Sequence, residues 1–480
     1  MSEVNASDRR VIESENDVFD LYLGSGANMK VGLETEISFF DPVTLKPMSL
    51  AQNKLLKNAA QARHSGVWVH TEPTADILEA ISIPGKAHER KNILHDINEK
   101  TKILNGKATE LGLKRSYFQE LPDRTGKELL EHIVDNERYQ IMYWPYREDM
   151  TDIVVYFAVC KSNQISVSYK NPDHLLRNMR RLYFLAPFLF MLTDNTSGFD
   201  QGRAFAGHSG MMHRASLKDR GGVLPYVFTA RNGEDFIRKH IDAVMNNKLF
   251  MYYDGQGKLT RVPSGTWESF NALRERGLNT ANNYFLAQSV LWPDVKIAAL
   301  KDASGTVNGH RFEARMFGVG IHQHQTALLI TSELAFNDGF AADVDALLSE
   351  YGFDANDLPS AQKTLENSYR AAREHNGKFF DITYGSGSMA DFAKAFADLV
   401  ENAFIGKDFD EELEPLLSIC RSGCTDGKVN RILFPTFEET MRHQKNFDPA
   451  IFDDPNTCAH MVFEKELRKK SKGACCGAYA

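Results

Sequence analysis

Residues 31–40 read VGLETEISFF, an alternating stretch that predicts a β-strand. Residues two apart in a strand point to the same face, so Glu34 and Glu36 project together. The intervening Leu33 and Ile37 take the opposite side. Two carboxylates about 5–7 Å apart on one face repel each other unless a cation lies between them. The stretch therefore predicts either an edge strand with a solvated acidic face or one wall of a cation site.

The composition is that of an ordinary globular protein. Its 480 residues are 42% hydrophobic and 25% charged, which is enough apolar content for a large core. The formal net charge of −8 argues against a nucleic-acid binder and shows no sign of affinity for anionic membranes. The longest apolar run, 182–192, is too short to cross a bilayer, and the N-terminus lacks the apolar segment of a signal peptide. Six sparse cysteines form no disulfide or zinc pattern, so we expect a cytoplasmic protein without a membrane anchor.

Two further strand-like segments carry acidic side chains. In HTEPTADILEAISIP, Glu72 and Glu79 flank a short apolar stretch, and the alternation around Glu79 places it on a defined face. In HRFEARMFGVG, Glu313 and Arg315 share one face of a predicted strand. A strand with both groups can offer a carboxylate to a metal and a guanidinium to a phosphate.

A polar strand precedes the most apolar helix of the chain. In QISVSY, the side chains of Gln164, Ser166 and Ser168 share one face, which predicts either a solvated sheet surface or the wall of a site. A further β-type run lies just upstream, at 153–159. The helix after the polar strand is predicted to begin at Pro172, because proline is favoured at the first helical position.

Five carboxylates from separate segments are hard to explain as solvated sheet surface. Mg²⁺ takes oxygen ligands, and in phosphoryl-transfer sites it bridges protein carboxylates and nucleotide phosphates. The pattern therefore predicts a metal–nucleotide site formed by Glu34, Glu36, Glu72, Glu79 and Glu313, with Gln164 and Arg315 beside them.

The order of the segments predicts an α+β protein. The β-type segments fall between residues 30 and 320, and periodic helical segments occupy 325–464. No linker separates the two parts, so we expect one domain over 29–464. Residues 1–28 are expected to form a polar N-terminal arm, and the basic, then small and polar, segment 465–480 a disordered tail.

Taken in order, these segments resemble the glutamate–cysteine ligases, most closely their plant and alphaproteobacterial branch, within the glutamine-synthetase-like carboxylate–amine ligases. The resemblance covers roughly residues 30–320. Its first match is VGLETEISFF, which is similar to the Gly-x-Glu-x-Glu strand of the family. The later matches are TEPTADILEAISIP, ERYQIMYWPY, QISVSYKNPDHLLRNMR, DRGGVLPYVF, WPDVKI and FEARMFG.

The resemblance implies a fold and a set of roles. The fold is a curved antiparallel sheet of about six strands with helices packed outside, the concave face forming the site. The metal-binding residues implied are Glu34, Glu36, Glu72, Glu79, Gln164 and Glu313. Gln164, Ser166 and Arg315 are implied to contact the nucleotide, and Arg315 to neutralise the transferring phosphoryl group. Arg220 is implied to hold a substrate carboxylate or phosphate, the alternative being a salt bridge that orders its loop.

Two departures concern the end of the site that selects the substrates. Relatives carry an Arg-x-x-Ile-Trp segment before the arginine matched by Arg220, and it helps to hold the amino-acid substrate. Here that region reads GHSGMMHRASLKDR, and Arg214 could substitute only from a shifted register. An asparagine and an aspartate of the central strand are replaced by Ser166 and Ser168.

The reaction implied is ATP-dependent amide formation. ATP phosphorylates a carboxylate to an acyl phosphate, and an amine then displaces phosphate. The cofactors implied are ATP and Mg²⁺ or Mn²⁺, and the partners are small molecules, with glutamate and cysteine as the default pair. Three alternatives stay open: ligation of glutamate to another amine, phosphorylation of a guanidino group, and a non-catalytic nucleotide-binding regulator.

Overall fold

A computed structural model describes residues 9–143, 161–217, 220–263, 266, 268–302 and 304–470. The strand predicted at 153–159 lies outside these residues, as do residues 1–8 of the N-terminal arm and 471–480 of the tail. Among the described residues, no helix combines the length and the apolar character that a membrane span requires.

The central element is an antiparallel sheet with seven strands among the described residues, which confirms the expected α+β class and curved sheet. Six strands follow the order β6-β7-β5-β1-β3-β2, and the short β4 pairs with the far end of β1. The strands are β1 (Val31–Phe40), β2 (Val69–Thr71), β3 (Ile77–Ile81), β4 (Lys114–Arg115), β5 (Asn163–Val167), β6 (Val295–Lys301) and β7 (Val307–Phe317).

Strand β1 is an interior strand, so the edge-strand interpretation of its acidic face is wrong. It is hydrogen-bonded to β3 on one side and to β5 on the other. Leu33 and Ile37, on the face opposite the glutamates, are buried in the core. Helices Arg90–Glu110 and Gln323–Phe336 contact this strand, and Pro172–Leu192 contacts β6 and β7. The apolar face is therefore covered by helices, as the alternation of β1 requires.

Local sequence explains where the longest buried helix begins. Asn171 is its N-cap, with Oδ1 accepting a hydrogen bond of 2.9 Å from the backbone N–H of His174, and Pro172 occupies the first turn. Helices cover most of the remaining chain. The α-helices are Asn16–Phe19, Leu50–Gln61, Arg90–Glu110, Gly126–Glu131, Glu137–Met142, Pro172–Leu192, Ser209–Ser216, Tyr226–Thr229, Gly233–Met245, Phe270–Glu275, Ala281–Ser289, Gln323–Phe336, Asp338–Glu350, Leu358–Arg373, Met389–Phe404, Asp410–Ser422, Asp426–Leu433, Phe437–Asn446, Ala459–Val462 and Glu464–Lys470.

Short elements complete the described chain. Three-residue and four-residue 3₁₀ helices occur at Asp20–Tyr22, Ala87–Glu89 and Pro449–Phe452. Two-stranded ladders pair Phe199–Asp200 with Arg203–Ala204, Met251–Tyr253 with Leu259–Arg261, Thr383–Tyr384 with Gly387–Ser388, and, in parallel, Gly221–Gly222 with Trp292–Pro293.

Both ends of the described chain pack onto the rest of the protein. One cluster of buried apolar side chains includes residues from Ile12 to Cys458. Tyr22, in the predicted N-terminal arm, is buried and its ring stacks on that of His310 at 3.7 Å between centroids. The expected tail begins too early: residues 465–470 belong to helix Glu464–Lys470, and Leu467 is buried against its neighbours. Leu467 packs this basic helix onto the rest of the protein, whereas the composition of the segment alone had predicted disorder.

Candidate active site

The register of the sheet brings the predicted polar side chains to one face. Glu36 of β1 pairs with Glu79 of β3, and Glu34 pairs with Gln164 of β5. Across the next ladder, Glu313 of β7 pairs with Ser166 of β5. Directly opposed residues in an antiparallel ladder project from the same face, about 4.5–5.5 Å apart at Cβ. Four neighbouring strands thus contribute to one polar surface.

Glu36, Glu72 and Glu79 form an acidic trio at the deep end of this surface. All three are buried, and one carboxylate oxygen from each lies within 4.8 Å of the others. Gln164 Nε2 donates to Glu36 Oε1 at 2.7 Å and to Glu79 Oε1 at 3.4 Å. The backbone N–H of Ser162 donates to Glu36 Oε2 at 2.7 Å. The carboxylates are thereby held close together by a shared amide and a backbone donor.

Burial raises the pKa of each carboxyl in the acidic trio, and repulsion by neighbouring glutamates adds to the shift of Glu72 and Glu79. The pKa values of Glu72 and Glu79 are raised to about 7, first by burial and then by neighbouring glutamates. The pKa of Glu36 is also raised by burial, against the opposing charge of Arg315. Glu34 has its pKa raised to about 8 by burial and by Glu79 and Glu313. Carboxylates that repel one another in this way are stabilised by a cation between them.

Basic side chains line the other half of the surface. Arg315 donates through Nη1 to Gln164 Oε1 at 2.6 Å and pairs with Glu313. Arg311 Nη2 lies 3.5 Å from carboxylate oxygens of both Glu34 and Glu313. Burial opposes ionisation of Glu313, but the charges of Arg315 and Arg311 more than offset it and lower its pKa to about 2. Glu313 is therefore the ionised partner of the two arginines.

The two halves meet in a pocket of about 310 Å³. The polar side chains at its wall come from the sheet and from helices Glu137–Met142 and Ala281–Ser289. They are Glu34, His70, Glu79, Arg138, Gln164, Gln288, Ser289, Lys296, Lys301, Arg311, Glu313 and Arg315. Three of the acidic residues expected at a metal, Glu34, Glu79 and Glu313, thus face one cavity together with several cations. Glu36 and Glu72 are not part of the described wall, but their carboxylate oxygens lie within 4.8 Å of one of Glu79.

The sequence analysis missed four cationic residues of this pocket: Arg138, Lys296, Lys301 and Arg311. Arg311 could have been predicted from the sequence, because strand alternation places it on the face of Glu313 and Arg315. Lys296 required the β6–β7 register, which sets it opposite Glu313. Burial lowers the pKa of Lys296 to about 7, although Glu313 acts in the opposite direction. Arg138 reaches the pocket from a short helix and donates to Ser289 Oγ at 2.7 Å.

Two residues expected at the nucleotide or substrate have other surroundings. Arg220 is not part of the described pocket wall; it donates to the carbonyl oxygens of Lys248 and Val290 and lies 4.1 Å from the ring centre of Phe250. These contacts order its loop. Ser166 lies beside the pocket, where its Oγ accepts a hydrogen bond of 2.7 Å from Arg311 Nε.

Arg214, considered as a replacement for the missing substrate-binding arginine, lies behind Arg315. Its Nη2 donates to the carbonyl oxygen of Arg315 at 2.9 Å, and its Nη1 is 3.6 Å from Asp294 Oδ1. Its side chain is therefore engaged by the protein at the base of the site.

The donor set of the acidic trio fits a hard divalent cation. Three carboxylates supply oxygen ligands, which Mg²⁺ and Mn²⁺ prefer to nitrogen or sulfur. One carboxylate oxygen from each lies within 4.8 Å of the others, a spacing at which all three can contact a single ion.

Comparison with solved structures places this site on a known fold. Glutamate–cysteine ligase from Francisella tularensis, solved in complex with AMP, aligns with 95% of this chain and 100% of its own, at 12% identity and a TM-score of 0.51. A bifunctional glutathione synthetase from Pasteurella multocida aligns with 93% of this chain and 57% of its own, at 11% identity and a TM-score of 0.35, too low to bear on the fold. No protein-family model matches the chain, and no curated protein matches it in sequence. The chain therefore shares its fold with a glutamate–cysteine ligase.

Proposed function

We propose that this protein is an ATP-dependent carboxylate–amine ligase that joins the γ-carboxylate of glutamate to the amine of cysteine. The observation that carries the proposal is the acidic trio, which adjoins through Glu79 the pocket that also contains Arg315, on a fold shared with a glutamate–cysteine ligase. The choice of glutamate and cysteine rests on the sequence resemblance over residues 30–320.

The metal-binding role is assigned to Glu36, Glu72 and Glu79, with Glu34 and Glu313 on the same polar surface. Gln164 orients two of these carboxylates through its amide N–H groups. Bound Mg²⁺ would supply positive charge that offsets the repulsion between ATP and an anionic acid. The carboxylates must be ionised for this role, so raised pKa values make binding of the cation release protons.

The first chemical step is phosphorylation of the acid. A γ-carboxylate oxygen of glutamate attacks the γ-phosphorus of ATP, the bond to the bridging oxygen breaks, and ADP leaves. Arg315, Arg311 and Lys296 are the cations of the pocket that face the anionic groups in this step. Removal of one preorganised donor to a developing charge typically lowers a rate about 10²–10³-fold.

The second step forms the amide. The amine nitrogen attacks the carbonyl carbon of the acyl phosphate, phosphate leaves with the bonding electron pair, and the nitrogen gives up a proton. The pocket wall offers apolar surface from Ile81, Phe285 and Leu300, which limits the access of water to the reactive acyl phosphate.

Release of ADP in the presence of Mg²⁺ and pairs of amino acids tests the proposal. We expect turnover with glutamate plus cysteine and none with either one alone beyond slow hydrolysis. Turnover with glutamate and a different amine would keep the ligase class and change the acceptor. A stable phosphorylated guanidine would move the protein to a kinase activity, and the absence of turnover with every pair would favour a nucleotide-binding regulator.

A further inference from the structure

A helix outside the sheet is linked to the candidate active site, because one of its side chains is hydrogen-bonded to a residue that contacts Arg315. Tyr369, on helix Leu358–Arg373, donates its hydroxyl to Asp294 Oδ2 at 2.8 Å. Asp294 is buried at the start of β6, between this helix and the pocket. It joins β6 to β7, because its carbonyl oxygen accepts a hydrogen bond of 2.9 Å from the backbone N–H of Arg315.

Arg214 contacts both Arg315 and Asp294. Its Nη2 donates to the carbonyl oxygen of Arg315, and its Nη1 faces Asp294 Oδ1 at 3.6 Å. The backbone N–H and carbonyl of Arg315 are thus both held, one by Asp294 and one by Arg214. Because these two residues also pair with each other, a shift of either one moves the backbone of Arg315.

Charge explains why a carboxylate is required at this position. A buried arginine needs a partner, and Arg214 has Asp294 on one side. On the other side, the charge of Arg214 already acts on Glu36 of the acidic trio. Without the carboxylate of Asp294, the guanidinium of Arg214 loses the opposite charge that lies beside its contact with the carbonyl oxygen of Arg315.

We propose that Tyr369, Asp294 and Arg214 form a brace that positions Arg315 for the transferring phosphoryl group. This assignment rests on the proposed function, because that function gives Arg315 its role at the transferring phosphoryl group. It makes Arg214 a positioning residue that acts through Arg315, and not a ligand of the amino-acid substrate. Arg315 itself touches Gln164 at 2.6 Å, so its guanidinium and its backbone are fixed from opposite sides.

A crystal structure of the Asp294→Asn variant tests the brace without any assay of turnover. Asparagine keeps the size of the side chain and can still accept from Tyr369, but it lacks the charge that holds Arg214. We expect the Arg315 guanidinium to move away from Gln164 Oε1 by about 1 Å, enough to lose its catalytic geometry. An Arg315 side chain displaced by less than about 0.5 Å would overturn the proposal. Tyr369→Phe provides a second variant if Asp294→Asn does not fold.

Steady-state kinetics provide a second test of the brace. We expect Asp294→Asn to lower kcat about 10- to 100-fold while the KM for ATP changes less than about twofold. In an Arg315→Lys background, Asp294→Asn is expected to lower kcat no further, because both changes remove the same interaction. Full additivity of the two changes would overturn the proposal, since a merely structural role of Asp294 would act independently of Arg315.

A matched control separates the brace from the general loss of a buried hydroxyl. Tyr384 is buried and donates to the carbonyl oxygen of Phe184 at 2.7 Å, outside the described pocket wall. Tyr384→Phe is expected to leave kcat within about twofold of wild type, whereas Tyr369→Phe lowers it several-fold. Equal effects of the two variants on kcat would contradict the brace. If the wild-type protein releases no ADP with any pair, the proposed function fails and the crystal structure alone decides the brace.

Discussion

Replacement of Glu79 by glutamine is expected to stabilise the metal-free protein. A carboxyl whose folded-state pKa is raised binds its proton more tightly in the folded than in the unfolded chain. Stability is therefore lost as pH rises from the ordinary value near 4.5 through the folded value of about 7. That difference corresponds to about 3 kcal/mol at pH 8. Since Glu79 is buried, solvent screens little of this effect.

The expected gain in the free energy of unfolding can be converted into a change in melting temperature. The entropy of unfolding is about 2.1 cal/mol/K per residue, or about 1 kcal/mol/K for a chain of this length, so about 3 kcal/mol raises Tm by about 3 °C. Thermal unfolding at pH 8 in EDTA should show this increase, and at pH 4 the difference should vanish. In wild type, Mg²⁺ at about 100 times its Kd should add about 2.7 kcal/mol, a similar rise in Tm. The Glu79→Gln variant should lose most of that second rise.

Glu120 provides the matched control. It is a buried glutamate outside the described pocket wall whose pKa burial also raises to about 7. Glu120→Gln should stabilise the protein at pH 8 to a similar extent and leave the response to Mg²⁺ unchanged. The reasoning is refuted if Glu79→Gln lowers Tm in EDTA, or if its response to Mg²⁺ equals that of wild type.

Four further variants test other contacts of the structure. Arg315→Lys should lower kcat for ADP release about 10²-fold, because one ammonium cannot reproduce the donor geometry; unchanged kcat in steady-state assays would remove Arg315 from the mechanism. Lys296→Met should weaken binding of an Mg²⁺–ATP analogue about tenfold in calorimetric titration, with an unchanged Kd as the contrary result. Gly427→Ala should destabilise the protein by about 1–3 kcal/mol in thermal unfolding, since a Cβ there would lie 2.1 Å from Asp194 Oδ2. Gly106→Ala, in a helix with no heavy atom within 4 Å of the added carbon, should instead stabilise it by about 0.5–1 kcal/mol.

Strong periodicity made the central sheet predictable. VGLETEISFF forms a strand over its full length, because one face is apolar and no residue in it favours a turn. The helix from Pro172 was equally clear from its cap and its apolar positions. The fold itself came from the resemblance, since no pattern in the chain fixes the strand order β6-β7-β5-β1-β3-β2. Two of the pairings, β1 with β5 and β5 with β7, join residues more than a hundred positions apart, which local sequence does not encode.

The residues of the candidate site also fall into those that local sequence predicts and those whose positions depend on strand pairing and tertiary packing. Glu34 and Glu36 could be placed on one face of β1, and Glu79 on a defined face of its own strand, because alternation within a strand sets their direction. Lys296 could not, since its position in the pocket depends on the pairing of β6 with β7. Arg220 matches a motif but donates to the carbonyl oxygens of Lys248 and Val290, which are distant in the sequence, so this contact depends on tertiary packing. Glu72 was predicted to face the site as part of a strand-like segment, but it joins the trio from the connection between β2 and β3, outside both strands.

Transfer of labelled oxygen tests the central claim most directly. If ATP activates the acid within this pocket, glutamate labelled with ¹⁸O in its γ-carboxylate must give one of those oxygens to the phosphate that is released. With Mg²⁺, ATP and cysteine, mass spectrometry should therefore find one ¹⁸O in each phosphate and one fewer ¹⁸O in the γ-carbonyl of the product. Unlabelled phosphate, released at the rate of ADP, would contradict activation through an acyl phosphate.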